Sequence, residues 1–326
     1  MLNNEYYALK EIPKLKLTKD KEIICHLNEP NILKKLSNYN FFPKLISSFQ
    51  DYDNLYLVTN YYEGVSLYYY KDKNMTEEQL KFISACIIQS FFYLRKHKII
   101  HRDIRMQNII IDKNKYLNLL DFSYAINYTH KNDFNNYIIG NSYDNAPEIQ
   151  NLSLYDFNSD YYRLGGSILY YFIFKNYLNN VKKEKKINEI IVSNISNYSS
   201  SCIDFLNKLI ITDYKLRIGF NNINELKNHL WFKNFDWEKF SKKTMKSPLN
   251  FTKKIIKYSF CKKFIFTINN KKSLKKKVKE NIFNKLIVKY DYVNPQIIKN
   301  MLKINKIYKK LKYIIFFKKI FNNIFY

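Results

Sequence analysis

His101-Arg102-Asp103-Ile104-Arg105-Met106-Gln107-Asn108 is followed thirteen residues later by Asp121-Phe122. A carboxylate and a carboxamide five residues apart, with a second carboxylate after the next strand-like run, can assemble a hydroxyl-activating base beside a magnesium-triphosphate site. That chemistry is phosphoryl transfer. Asp103 is the candidate that orients a hydroxyl and takes its proton, and Asn108 and Asp121 are the candidate metal ligands.

Working outward, a helical pattern runs from Thr76 to His97 into the His101 loop, and Ile109 to Asp112 and Leu117 to Leu120 read as short strands around a turn. Upstream, residues 6 to 10 read as a short buried strand and Asp20 to Leu36 as a helix. Leu45 to Asp51 and Leu55 to Tyr62 read as two strands joined by a polar turn. Glu63-Gly64 then breaks the pattern as an inter-lobe hinge would. From Asp160 onward the chain reads as helices.

With 326 residues and 46% hydrophobic composition, the chain can bury a substantial core rich in Tyr, Phe and Ile. Its charge is uneven. Residues 241 to 326 hold 24 Lys against two acidic residues, a net of +22 out of the whole chain's +27, which leaves +5 for residues 1 to 240. Cys25, Cys86, Cys202 and Cys261 are scattered, with no paired spacing that suggests zinc or a disulfide framework. The N-terminal residues lack the pattern of a signal peptide, and no apolar run approaches the ~18 residues of a membrane span. Reduced thiols and these absences lead to the expectation of an intracellular protein, cytoplasmic with a nuclear alternative.

The His101 to Asn108 loop and Asp121-Phe122 resemble the catalytic loop and metal-binding motif of the eukaryotic protein kinases. Ala146-Pro147-Glu148 is similar to the end of that family's activation segment, Asp160-Tyr161-Tyr162-Arg163-Leu164-Gly165 to the start of its long central helix, and Arg217 to the arginine that pairs with Glu148. Asn224 to Phe232 and Phe235-Asp236-Trp237, with Ser247-Pro248, resemble the AGC group and especially the cyclic-nucleotide-dependent kinases. The resemblance covers about residues 6 to 250. It implies an α+β, bilobal protein-kinase-like fold: a truncated N-lobe over 1–62, a helical C-lobe over 63–240 and a Lys-rich extension over 241–326.

The resemblance also implies a function: transfer of the gamma phosphate of ATP to Ser or Thr hydroxyls of a protein substrate, with ATP and Mg2+ as cofactors. Lys10 would contact the alpha and beta phosphates and Glu29 would be its helix partner, although a lone Lys and Glu nineteen residues apart would otherwise read as surface charges. Arg105 would stand near the gamma phosphate, and Ala8, Asn60, Tyr62 and Ile110 would line the nucleotide. His101 would be structural, packed under Phe122. The expected assembly state is a monomer.

Several positions depart from the family pattern. The first glycine is Gly64 and nine residues precede Lys10, so the glycine-rich loop is lacking from this sequence. Either the sequence begins inside a longer protein or nucleotide binds with an open lid. Arg105 replaces a lysine, Asn141 a threonine, and Ser123 a glycine where the backbone must bend. Tyr137 stands at the activating phosphosite, with Thr129 and Ser142 as other candidates to meet Arg102. Ser66 and Tyr170 replace carboxylates that bind substrate arginines, so no strong preference for basic peptides is implied. Together these changes keep a pseudokinase scaffold as the rival reading.

In the extension, Ile298, Met301, Leu302, Ile307, Leu311, Ile314 and Ile315 recur at helical spacing among lysines. A basic amphipathic helix can lie on anionic membrane, bind a calmodulin-like partner or pack on its own domain. Charge alone permits phosphate-backbone binding, but no groove-reading motif supports sequence-specific nucleic acid. A lipid- or nucleic-acid-binding protein acting through this tail is the third reading.

Overall fold

The computed structural model describes residues 6–17, 20–128, 145–152, 155–173, 197–250 and 292–293. Two compact units contain them, the first within Met1–Pro30, Lys44–Tyr61 and Lys272–Tyr326, the second within Asn31–Pro43 and Tyr62–Lys271. Small sheet and helix in the first and a largely helical second unit give the mixed content of the expected fold.

In the first unit β1 (Tyr7–Pro13), β2 (Leu45–Gln50) and β3 (Asn54–Asn60) form an antiparallel sheet with β3 in the middle, and Tyr292–Val293 adds a strand beside β2. Period-2 alternation explains β3: Leu55 and Leu57 are buried while Tyr56 and Val58 are half-buried on the other face. The β2–β3 turn is fixed by Asp51, whose Oδ1 accepts from the amides of Asp53 at 2.9 Å and Asn54 at 2.7 Å. The strand expected near residues 6 to 10 is present but is not buried, because β1 lies at the sheet edge and Tyr7 and Leu9 face solvent. Only Ile12 of β1 enters the small core with Leu17, Ile23, Leu27 and Leu55. α1 (Asp20–Leu36) carries Glu29 just before Pro30, where the first segment of the first unit ends.

The second unit is built on α2 (Glu77–Lys96), the long helix that the sequence pattern anticipates. Thr76 and Gln79 close a reciprocal cap, Gln79 N donating to Thr76 Oγ1 at 3.2 Å and Thr76 N to Gln79 Oε1 at 3.0 Å. Glu77 and Glu78 then complement the N-terminal end of the helix dipole, and Arg95 and Lys96 the C-terminal end. Leu80, Ile83, Ile88, Phe91 and Leu94 of α2 are buried.

Short strands follow and shape the site. β4 (Gly64–Ser66), β6 (Ile109–Asp112) and β7 (Leu117–Leu119) pair in the order β4-β6-β7, and β5 (Ile99–Ile100) pairs with β8 (Ile126–Asn127). The break expected at Glu63-Gly64 falls next to the division of the chain into units between Tyr61 and Tyr62, and Gly64 is the first residue of β4. A Cβ there would overlap the Ile111 carbonyl oxygen, so its glycine serves close strand approach.

Among the described residues the α-helices after the second unit's strands include α3 (Pro147–Leu152), α4 (Phe157–Arg163), α5 (Ser200–Leu209), α6 (Asn224–Asn228) and α7 (Trp237–Ser241). α4 is capped by Asp156, which accepts from Phe157 N at 2.6 Å, and runs on into a π-helical turn over Leu164–Leu169. Gly165 in that turn lets α5 approach, since a Cβ would meet Leu209 and Ile210 at 2.8 Å. Trp231 is buried and its indole donates to Glu77 Oε1 at 2.9 Å, which ties the Trp231-Phe232 turn to the start of α2. No helix among the described residues is long and apolar enough to cross a membrane.

Glu148 on α3 and Arg217 meet as the sequence expects. The guanidinium donates to both carboxylate oxygens at 2.7 and 2.9 Å, also reaches the carbonyls of Asn158 and Ile211, and lies over the Tyr162 ring. Ser159 Oγ donates to Glu148 Oε1 at 3.0 Å, so the buried carboxylate is well satisfied. Removing one partner of such a pair leaves an uncompensated buried charge. Arg217→Ala is therefore expected to cost about 3–5 kcal/mol in urea unfolding; a loss under about 1 kcal/mol would show that the pair is only a surface-like contact.

The histidines give a pH dependence whose direction follows from burial. Desolvation is the largest cause at His97, His101 and His229, and in each it holds the imidazole below its ordinary value. In the unfolded chain these rings take a proton near about pH 6.5, whereas in the fold they take it only at lower pH. The unfolded state therefore binds more protons across that window, and stability falls as pH drops. Denaturant midpoints should be lower at pH 5.5 than at pH 7.5, and equal midpoints would contradict the assignment of neutral buried rings.

Candidate active site

The loop between β5 and β6 is held from behind by a buried carboxylate. Asp160 on α4 accepts from the backbone amides of His101 at 2.8 Å and Arg102 at 2.9 Å. Arg102 occupies a left-handed conformation, φ 66°, in which consecutive amides can point at one acceptor. Burial raises the Asp160 carboxyl above its ordinary range, opposed by nearby His101 and by these two bonds. The Arg102 side chain donates from Nε to the Tyr124 carbonyl at 2.7 Å and lies over the Tyr155 ring at 5.2 Å. Thr129, Tyr137, Gly140, Asn141 and Ser142 lie outside the described residues.

His101 acts as a spacer, as expected. Its Nε2 faces the Leu120 carbonyl at 3.1 Å, its Nδ1 accepts from Asp103 N at 3.2 Å, and its ring meets Phe122 edge-on with centroids 4.8 Å apart. That pattern assigns the proton to Nε2, and burial keeps the ring neutral. Phe122 in turn meets Phe42 edge-on at 5.8 Å. The aromatic column aligns the backbone on both sides of Asp121.

Asp103 is 2% exposed and is contacted on both oxygens. Asn108 Nδ2 donates to its Oδ2 at 2.6 Å and to its carbonyl at 3.0 Å, and Arg105 Nη2 stands 3.2 Å from Oδ2. On the other side Arg163 Nη1 stands 3.9 Å from Oδ1. Asn108's carbonyl accepts from Leu120 N at 2.7 Å, which stitches the loop to the chain entering Asp121. With its amide nitrogen committed to Asp103, Asn108 offers its Oδ1 as the remaining ligand atom.

Asp121 itself carries the bend, with φ 58°. Ser123, expected to restrict that bend, takes no positive φ. Its hydroxyl donates to Asp121 Oδ1 at 2.6 Å, so the side chain closes a local turn on the carboxylate. An Asp and an Asn oxygen suit Mg2+, which uses one or two protein ligands and takes the rest from substrate phosphates and water. Among the described residues no group of three or more His, Cys, Asp or Glu side chains is placed to hold a metal ion.

In the first unit Lys10 on β1 and Glu29 on α1 make the expected pair. Lys10 Nζ donates to Glu29 Oε1 at 3.0 Å and Oε2 at 2.9 Å, with Lys10's side chain 33% exposed and Glu29's 3%. Ala8 is exposed on β1 opposite Thr59, and Asn60 ends β3, where its Oδ1 accepts from Lys44 N at 2.6 Å. In the second unit Tyr62 is half-buried and donates to the Phe42 carbonyl at 2.7 Å, while Ile110 is half-buried on β6 opposite Asn118. The second unit thus brings Asp103, Arg105 and Asn108 into contact and places Asp121 next to the residue bonded to Asn108.

Two participants escaped the sequence. Arg163 matches no motif position with a charge role, and a lone arginine in a helix reads as surface. Asp160 was visible as a helix-start signature, but its service to the loop amides was not. Tyr170, compared above with a substrate-binding carboxylate, is 3% exposed, and Ser66 Oγ donates to the Met106 carbonyl at 3.0 Å.

Comparison with known proteins agrees with this geometry. Residues 1–232 match the family model described as protein kinase domain. The chain is 27% identical over 262 residues to the serine/threonine-protein kinase Sgk1 of Danio rerio, covering 76% of this chain and 59% of that protein. It is 27% identical over 255 residues to the cAMP-dependent protein kinase type 3 of Saccharomyces cerevisiae, covering 76% and 63%. With the cAMP-dependent protein kinase catalytic subunit of Schizosaccharomyces pombe it shares 29% identity over 257 residues, 76% of this chain and 49% of that one. The chain therefore spans about half to three-fifths of the length of these relatives. These relatives are of the AGC type that the C-terminal motifs resemble, and the chain belongs to the protein kinase domain family.

Proposed function

We propose that this chain is a protein kinase that uses ATP and Mg2+ to phosphorylate Ser or Thr hydroxyls of protein substrates. The observation that carries the reading is the Asp103 carboxylate: buried, bonded to Asn108 at 2.6 Å and set on a loop clamped by Asp160. A carboxylate so fixed can receive an acceptor hydroxyl and take its proton. The hydroxyl oxygen then bonds the gamma phosphorus, the bridging P–O bond to the beta phosphate breaks, and ADP leaves with that electron pair. Asn108 and Asp121 would hold Mg2+, which neutralises charge on the phosphates when bound. Arg105, 45% exposed at its side chain, is free to lend its charge to the gamma phosphate. Lys10, aimed by Glu29, would contact the alpha and beta phosphates, with Ala8, Asn60, Tyr62 and Ile110 lining the nucleotide. The names of the relatives support the Ser/Thr class. Ser66 and Tyr170 offer no carboxylate to substrate arginines, so no strong preference for basic peptides is implied.

One observation favours a second reading, a pseudokinase scaffold. The Ser123 hydroxyl donates to Asp121 Oδ1 at 2.6 Å, so one oxygen of the candidate metal ligand already accepts a hydrogen bond. Of the lysine-rich extension, 241–250 and 292–293 are among the described residues; the amphipathic pattern from Ile298 to Ile315, which carries the membrane and calmodulin-like alternatives, lies outside them.

Nucleotide binding should depend on Mg2+. In calorimetric titration the wild type should bind ATP more tightly with Mg2+ than without, and Asp121→Asn should erase that difference; absence of binding at millimolar ATP would sink the enzyme reading. Turnover isolates Asp103. Asp103→Asn should lower phosphotransfer to a protein acceptor by about 100-fold or more while leaving ATP affinity within about twofold, because the residue acts on the acceptor. Equal label incorporation by wild type and variant would leave the scaffold reading in place.

A further inference from the structure

Arg163 stands at the C-terminal end of α4 with its side chain 3% exposed. Its Nη1 faces Asp103 Oδ1 at 3.9 Å, and its Nη2 donates to Asn145 Oδ1. Asn145 is itself buried and immediately precedes Ala146-Pro147-Glu148, whose Glu148 is gripped by Arg217. One planar guanidinium therefore spans from a rigid point of the scaffold to the carboxylate proposed as the proton acceptor. The opposite oxygen of that carboxylate is held by Asn108 and by Arg105.

The two arginines differ in what they can do. Arg105 is 45% exposed and can leave Asp103 for a phosphate, whereas Arg163 is buried and anchored at its other end. A buried cation is little screened by salt, so its field on Asp103 persists when Arg105 turns away. Removing a cation from beside a buried carboxylate leaves charge uncompensated, and the carboxylate then seeks another partner or moves.

We infer that Arg163 is a positioning residue for Asp103: it fixes Oδ1 and balances the carboxylate's charge while Arg105 serves the phosphate. The inference rests on the kinase reading for its catalytic meaning, but the contact can be tested without turnover. The competing account makes Arg163 a bolt between α4 and Asn145, with Asp103 merely nearby. Asp160 also lies within electrostatic reach of Arg163, and its contribution is common to both arms of a cycle with Asp103.

The test uses the full chain and thermal unfolding of Arg163→Gln in the wild-type and Asp103→Asn backgrounds. In the wild-type background the melting temperature should fall by about 4 °C or more. In the Asp103→Asn background the same change should lower it by less than half as much, because the guanidinium there no longer faces the Asp103 carboxylate while its losses at Asn145 and Asp160 are the same in both arms. Equal losses in both backgrounds overturn the inference. If Arg163→Gln fails to fold, Arg163→Lys in the same two backgrounds decides the question by the same criterion. Where the wild type turns over, Arg163→Gln should lower kcat about tenfold with KM for ATP within twofold, and Arg163→Lys should recover part of it. A wild type without turnover defeats the proposed function and leaves the cycle to judge the contact; a tenfold rise in KM at unchanged kcat defeats the inference alone.

Discussion

The bonds from the amides of His101 and Arg102 to the Asp160 carboxylate are the constraint on which the second unit's site depends. Burying that carboxylate is unfavourable, as the upward shift of its carboxyl shows, and two charge-assisted amide bonds offset the penalty. In return, the backbone must take the strained left-handed turn at Arg102. Once this is set, His101 Nδ1 receives Asp103 N and His101 Nε2 faces the Leu120 carbonyl, so one imidazole fixes the spacing between the Asp103 loop and the chain leading to Asp121. A protonated ring could not accept from Asp103 N, and burial is what keeps it neutral.

Cations arranged by exposure complete the electrostatics. Glu29 and Asp103 are both nearly fully buried carboxylates, and each has a partly exposed cationic partner, Lys10 or Arg105. A carboxylate in the interior with a mobile partner suits a site that must receive phosphates, because the cation can turn toward the incoming charge while the acid stays in place. Arg217 and Glu148 are the contrast. Both are buried, both are fully engaged, and neither can respond to a ligand.

Much of this was legible where local signals and motif spacing agree. α2 has an amphipathic run, a reciprocal cap and a charge bias at both ends, so its bounds follow within a residue from Thr76 and His97. β6 falls on Ile109–Asp112 as its apolar run and following turn dictate. What stayed hidden is set by neighbours distant in sequence. Exposure of β1 depends on its lying at the edge of the sheet, which a Tyr-Tyr-Ala-Leu run does not report. Gly64 reads as a breaker, but its need for space comes from Ile111. Arg163 became meaningful only when α4 brought it to Asp103 and Asn145.

Ser123 adds a side-chain tie to the segment at Asp121. Where the family pattern has a glycine, the serine takes no positive φ, and the positive φ of the segment lies at Asp121. The hydroxyl then stabilises that turn through Asp121 Oδ1, a local bond of the kind Ser and Asp make in turns. Phe122, held between His101 and Phe42, resists swinging of the same segment. The segment is therefore tied at three consecutive residues, by a carboxylate–hydroxyl bond, by aromatic packing and by the turn itself. Such a segment favours a single arrangement of Asp121, and what it gains in order it loses in the ease with which Oδ1 can be turned toward a metal.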